Sequence, residues 1–260
     1  MAAIFLFVIF YRPAAGLEAD FLDVGQGDSE LVKAPAGQNV LIDGGPDGSV
    51  IKRLGERLPW WDRKIDLMVL THPHEDHVAG LVKVLENYRV GKIVYAGTPD
   101  DNPTYAAWAA LIREKRIPTF IVREPQEIDL GGGCRLEVLN RPGSGGQLND
   151  DSLVLKLVYG RTSFLFMGDA GQEVERQLDP AELKADVLKI GHHGSDSSSG
   201  ENFLKEVSPA LAVIEVGRDN KFGHPSRRTL KKLERLGARV FRTDQDGTIV
   251  LRSDGLKVSD

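Results

Sequence analysis

The sequence predicts a mixed α/β protein that carries its chemistry on loops at the ends of strands. Three observations lead there. Between residues 40 and 122 strand-like runs are followed in turn by helical patterns, an alternation that favours α/β layering. Several apolar runs end in acids or imidazoles: Ile65–Leu70 leads into His72, His74, Asp76 and His77, Ser163–Met167 into Asp169, and Asp186–Ile190 into His192 and His193. All 6 histidines of the 260 residues lie at 72–77, 192–193 or 224. Chance packing does not gather them so.

The first eleven residues are uniformly apolar, and Arg12-Pro13 ends the run. The run is shorter than the roughly 20 residues that cross a bilayer, and no positive residue precedes Arg12, as a signal peptide would require. Residues 1–13 are read as an apolar N-terminal segment, either the stub of a transmembrane helix or a membrane-associated stretch. A hydrophobic first strand is the alternative. Residues 14–260 form the domain.

Residues 18–33 hold two strands around Gly25-Gln26-Gly27-Asp28, where paired glycines mark a tight hairpin or a close backbone approach. Val40–Ile42 is a strand ending in Asp43, and residues 48–58 have helical spacing. Trp60-Trp61 after Pro59 is expected to pack a loop onto the core, with substrate stacking as the alternative. Residues 65–70 read as a buried strand, and Val78, Leu81, Val82 and Leu85 as a helix fading near Asn87. Strands at 93–97 and 120–122 flank a helix over 104–115. Residues 127–139 read as a hairpin and 141–146 as a surface loop. Strands are expected at 153–158, 163–167, 186–190 and 211–216. Between the last two, residues 195–200 are expected to be an exposed loop or a helix start, followed by a brief helix. Ser226 is a good N-cap for a helix over 227–236. The last two strands, 239–242 and 248–252, are joined in this reading by a turn at Asp246-Gly247.

Composition is that of a soluble globular chain, with 41% hydrophobic and 27% charged residues. A net charge of −5 excludes a polycationic nucleic-acid binder, though not an enzyme whose metals neutralise phosphate locally. The single Cys134 allows no intrachain disulfide and no cysteine-rich zinc site, and reads as an inert strand-edge residue.

The stretch from His72 to His77 carries the strongest signal. A loop at a strand end converges side chains in a way a strand does not. Imidazole with carboxylate suits zinc, manganese or iron. Two divalent ions about 3.5–4 Å apart form a common hydrolytic arrangement that needs no serine or cysteine nucleophile. A Ser/His/Asp triad through Ser195 would leave the 72–77 cluster idle. Asp43 is either a solvated turn residue or an acceptor that fixes a ligand histidine.

Thr71-His72-Pro73-His74-Glu75-Asp76-His77 resembles the His-x-His-x-Asp-His motif of the metallo-β-lactamase superfamily, and Asp43, Asp169 and His192 match its other positions. The resemblance implies an αββα sandwich with metals at one edge. A narrower likeness rests on Phe21–Ser29, Asn149–Ser152, Lys189–Ser195 and Gly223–Ser226. These stretches resemble the C-terminal metallo-β-lactamase-like domain of the ComEC competence proteins. Those are membrane proteins of DNA uptake, and the domain is thought to degrade the strand that is not transported.

This likeness implies a metal-dependent DNA nuclease acting outside the cytoplasmic membrane, facing the periplasm or cell exterior, tethered there as a monomeric domain beside a membrane channel; a soluble cytoplasmic enzyme is the alternative. Its substrate would be single- or double-stranded DNA. His72, His74 and Asp169 would hold one ion, and Asp76, His77, Asp169 and His192 the other, with His193 as an alternative ligand. Asp76, Asp169 and His224 would be catalytic. Asn149, Ser152, Ser195 and His224 would meet the substrate. Many members of the superfamily give the first ion a third histidine, where this chain has Asn149, Asp150, Asp151 and Ser152. Oxygen-richer ligation favours manganese over zinc. A basic face could come from Arg227, Arg228, Lys231, Lys232 and Arg235, or from Lys189, Arg218 and Lys221. The rival readings are a hydrolase of small esters, lactams or cyclic nucleotides, and a non-catalytic DNA-binding or assembly domain.

Overall fold

The computed structural model describes residues 16–143 and 148–260. The apolar segment at 1–13 lies outside the described residues, as does part of the 141–146 loop. The strands in chain order are β1 (Leu17–Phe21), β2 (Glu30–Lys33), β3 (Asn39–Ile42), β4 (Lys64–Leu70), β5 (Arg89–Tyr95), β6 (Thr119–Ile121), β7 (Gln126–Gly131), β8 (Cys134–Val138), β9 (Leu155–Tyr159), β10 (Thr162–Phe166), β11 (Val187–Lys189), β12 (Leu211–Ile214), β13 (Arg239–Arg242), β14 (Ile249–Ser253) and β15 (Val258–Ser259). The helices are α1 (Ser49–Arg57), α2 (Glu75–Asn87), α3 (Pro103–Lys115), α4 (Gln172–Glu175), α5 (Pro180–Leu183), α6 (Glu201–Val207), α7 (Arg227–Leu236) and α8 (Thr243–Asp246).

The strands form two sheets, ordered β15-β14-β1-β2-β3-β4-β5-β6 and β13-β12-β11-β10-β9-β8-β7. Alternation along each strand explains why they stack. In β4, Leu67 and Val69 face the other sheet, while Met68 and Leu70 face the helices. In β10, Phe164 and Phe166 point between the sheets, and Leu165 joins the helical layer of Phe203, Leu204 and Leu233. Phe21 and Phe166 stack across the interface with centroids 5.9 Å apart. Helices α1 to α3 cover one sheet and α4 to α7 the other, so the layers run αββα.

Strands β3 to β6 are parallel, as are β10 to β13. Their carboxyl ends therefore share one edge of the sandwich, where open α/β sheets place their ligands.

Four expectations need correction. Trp60 and Trp61 do not pack on the core; they are 80% and 49% exposed. Ser195, Ser198 and Ser199 are buried, because Glu175 accepts from the backbone of Ser199 and Gly200 and draws this stretch inward. The last strands form no hairpin: β13 pairs with β12 and β14 with β1, with α8 bridging the two sheets. Lys189 contributes no basic surface, since it is fully buried and paired with Asp28. Cys134 is buried at the start of β8, and burial pushes its thiol up to about 12, which suits an inert residue. Ser226 caps α7, accepting from Thr229 N at 3.0 Å.

Candidate metal centre

The loop after β4 reaches α2 within a few residues, with His74 as N-cap. Close backbone contacts fix it. Gly44 N donates to His77 O at 2.8 Å, and Gly80 N to Gly45 O at 3.0 Å. A Cβ on Gly80 would lie 1.8 Å from Gly44 O, and one on Gly27 2.3 Å from Asp76 O. Only glycine permits either approach.

Asp169, on the loop after β10, stands at the middle. Its Oδ2 lies 3.8 Å from His72 Nε2 and 3.8 Å from His192 Nε2. Its Oδ1 lies 3.5 Å from His77 Nε2 and 3.7 Å from His193 Nε2. Asp76 Oδ2 is 3.3 Å from His193 Nε2, and Asp76 Oδ1 is 3.9 Å from His77 Nε2. Two ligand-like clusters result, His72/His74/Asp169 and Asp76/His77/His193, each with its donor atoms within 4.8 Å of one another. The two oxygens of Asp169 face different sets of imidazoles.

His192 and His193 exchange their expected places. His193, not His192, joins Asp76 and His77. Both residues sit at φ 50°, in the left-handed region, and the turn at Gly191–Gly194 sends their rings to different sides. His193 is buried, whereas the His192 side chain keeps 27% exposure. Non-glycine residues there cost of order 1–3 kcal/mol each; the packing of His193 helps hold them.

Carboxylates grip the outer nitrogens of the inner pair. His77 Nδ1 lies 2.7 Å from Asp43 Oδ2, and Asp43 also accepts from Thr71 N at 2.8 Å and Thr71 Oγ1 at 2.6 Å. His193 Nδ1 lies 3.0 Å from Glu215 O and 3.1 Å from Asp28 Oδ1. Such contacts orient ligand imidazoles and set their tautomer. Burial opposes charge on both rings, but Asp169 and the acids beside each outweigh it, holding His77 well above the usual histidine range and His193 up to about 10. Burial instead pushes His72 well down, helped by His77.

His77 Nε2, His193 Nε2 and Asp169 Oδ1 are buried without a hydrogen-bond partner among the described residues. Unpaired buried polar atoms are costly. Three aimed at one space, with Asp76 beside them, fit a divalent cation bound by nitrogen and oxygen.

The expected substrate contacts divide. Ser152 is fully buried, and its Oγ accepts from Asp169 N at 3.1 Å; it positions the carboxylate and is closed to substrate. Asn149 Nδ2 faces the His192 ring at 3.4 Å. Ser195 Oγ lies 2.9 Å from Ser197 Oγ. The His224 ring lies 5.7 Å from that of His192, at the rim. Residue-type reasoning missed the support beneath: Asp28, Glu30, Lys189 and Glu215, all buried. Burial pushes the Glu30 carboxyl up to about 8 and Glu215 well up, while Asp28 is held low by Lys189 and His193 against its burial. The available signal was a charge inside an apolar run, Lys189 after Val187-Leu188 and Glu215 within Ile214–Val216.

The metallo-beta-lactamase superfamily model matches residues 22–217. The chain is 32% identical to ComE operon protein 3 of Bacillus subtilis, over 95% of this chain and 34% of that protein. It is 30% identical to competence protein ComA of Neisseria gonorrhoeae, over 93% of this chain and 33% of that one. The chain thus spans about a third of the length of these relatives. The metallo-beta-lactamase fold protein YhfI of Bacillus subtilis superposes with a TM-score of 0.62 at 12% identity, covering 92% of this chain and 100% of YhfI.

Proposed function

The chain belongs to the metallo-β-lactamase superfamily, and from that premise we propose that it is a metal-dependent nuclease cleaving DNA phosphodiesters during DNA uptake. The observation that carries the hydrolytic reading is Asp169, whose two oxygens face separate histidine clusters. His72, His74 and Asp169 would hold one divalent ion, and Asp76, His77, His193 and Asp169 the other. Divalent ions in such a centre supply Lewis acidity and lower the pKa of water. Manganese is favoured over zinc in this reading, because the His72 cluster has no third histidine and leaves a larger share of the ligands to Asp169 oxygen and water.

The chain's own residues do the rest. Asp43 and Asp28 hold the inner imidazoles, and Ser152 orients Asp169. His224 and Asn149 line the rim around His192; in this reading both would hydrogen-bond phosphate oxygens, and His224 would give a proton to the leaving oxygen. Arg227 and Arg228 begin α7 just beyond His224 and are exposed, as are Arg218 and Lys221. Arg228 is paired with Asp196 at 2.7 Å, and the other three supply positive charge beside the site despite the net charge of −5. The competence relatives support DNA as the substrate class. A location at the outer face of the cytoplasmic membrane, next to a channel, belongs to the same proposal. No helix of the described residues is long and apolar enough to cross a membrane.

The test uses chelator-stripped protein reloaded with manganese or zinc and offered single-stranded DNA, duplex DNA and small esters. Metal-dependent DNA cleavage is expected. Turnover of a small ester with inert DNA would favour a small-molecule hydrolase, and tight DNA binding without turnover a binding domain. Membrane fractionation of the native gene product tests the location.

A further inference from the structure

We propose that Phe222 is a stacking platform for an unpaired base of the substrate, so that the site takes single-stranded DNA with one nucleotide seated beside the scissile phosphate. The inference rests on the nuclease reading and specifies its substrate. Phe222 is a large apolar side chain left 57% exposed at the catalytic edge. Its ring stacks on His224 with centroids 5.8 Å apart and planes 14° from parallel. The His224 ring in turn meets His192 at 5.7 Å, and His192 Nε2 stands 3.8 Å from Asp169 Oδ2. A continuous wall of rings therefore leads from the Asp169 carboxylate to solvent, and Phe222 is its outermost member.

The loop presents this ring rigidly. Asn220 Nδ2 donates to Gly217 O at 3.0 Å and to His224 O at 2.7 Å. Asn220 Oδ1 accepts from Phe222 N at 3.2 Å and His224 N at 3.0 Å. One amide thus uses both its donors and both its acceptor positions to fold the loop around itself. The ring is displayed by a polar clamp instead of being buried by apolar packing, which is how a surface for a ligand is built. A cation accompanies it: Lys221 Nζ lies 5.3 Å from the Phe222 centroid. An aromatic face with a neighbouring cation is the pattern that holds single strands without reading sequence. A base inside a duplex has both faces covered by its neighbours and offers no face to such a ring.

The experiment compares a single-stranded oligonucleotide with the same backbone made fully abasic, using wild type, F222A and F222W reloaded with manganese. Base–aromatic stacking corresponds to about a 5- to 140-fold effect per base. Wild type should therefore show a KM lower by that factor on the normal strand than on the abasic one. F222A should lose the discrimination while cleaving the abasic strand as wild type does, and F222W should restore it. Retention of the full discrimination by F222A, or equal KM values for the two strands in wild type, would overturn the platform and leave the nuclease reading standing. Loss of both substrates in F222A without rescue in F222W would make the ring a structural prop, and the proposal would fall. If wild type cleaves no DNA at all, the nuclease reading fails, and the platform fails with it.

Discussion

Replacing Asp43 by asparagine isolates the role of one carboxylate behind the centre. Asn tolerates the left-handed backbone that Asp43 adopts at φ 52°, so the loop keeps its shape. Of the three contacts Asp43 makes, asparagine reproduces two. Its Oδ1 still accepts from Thr71 N, and its Nδ2 can donate to Thr71 Oγ1. It cannot accept from His77 Nδ1, now 2.7 Å from Asp43 Oδ2. His77 must then either bury an unpaired N–H or move its proton to Nε2, the atom 3.5 Å from Asp169 Oδ1. The second choice removes a metal ligand. Loss of such an outer partner typically costs about 10- to 100-fold in metal affinity, or about 1.4–2.7 kcal/mol. Titration calorimetry of stripped D43N with manganese should show that loss in one binding step, while the step at His72 and His74 stays within about threefold. Folded D43N with wild-type affinity in both steps would refute the reasoning.

Three further predictions follow from named contacts. H193A should lose one equivalent of metal by elemental analysis after reloading, whereas H192A should keep both with weakened binding; the opposite pattern would return the inner position to His192. Burial raises the Glu30 carboxyl from 4.5 to about 8, so the folded chain binds the extra proton between those values. Its contribution to stability is full below pH 4.5 and is lost as pH rises through 8. The Tm of stripped protein should therefore fall across that window and E30Q should flatten the fall, so equal slopes would count against it. S226A removes the acceptor for Thr229 N and should cost about 1 kcal/mol by urea unfolding; no change in the midpoint would show the cap to be idle.

What was legible in the sequence was what depends on neighbours along the chain. The run from Ile65 to Leu70 ends where a strand ends, and the His72–His77 cluster follows at once, so strand, loop and ligand types could be read together. The same holds for Ser226 as a cap. What was not legible depends on distant contacts. Nothing local distinguishes His192 from His193; the choice is made by Asp28, Asp76 and Glu215, which lie far off in sequence. Lys189 reads as surface charge until Asp28 is placed against it. Trp60 and Trp61 look like core by residue type, yet the α1–β4 connection leaves them outside. The turn at Asp246-Gly247 looked like a hairpin because pairing with β12 and β1 is invisible in the local pattern.

Strand β1 has a mechanical consequence. It lies between β14 and β2, antiparallel to both, with Leu17↔Ser253 and Phe21↔Ile249 closing the ends of one ladder. Leu17 is at the edge opposite the histidines, close to where Arg57 of α1 reaches Glu18. Tension applied through Gly16 runs along the strand, while its hydrogen bonds lie across it. Both ladders are then loaded in shear, so their bonds share the force and must fail together instead of peeling one by one. A pull from that side spends itself on β1, about 17 Å of strand, before it reaches the loops that hold the histidines. Force entering at Leu17 would thus be taken up at the end of the sandwich away from the histidines.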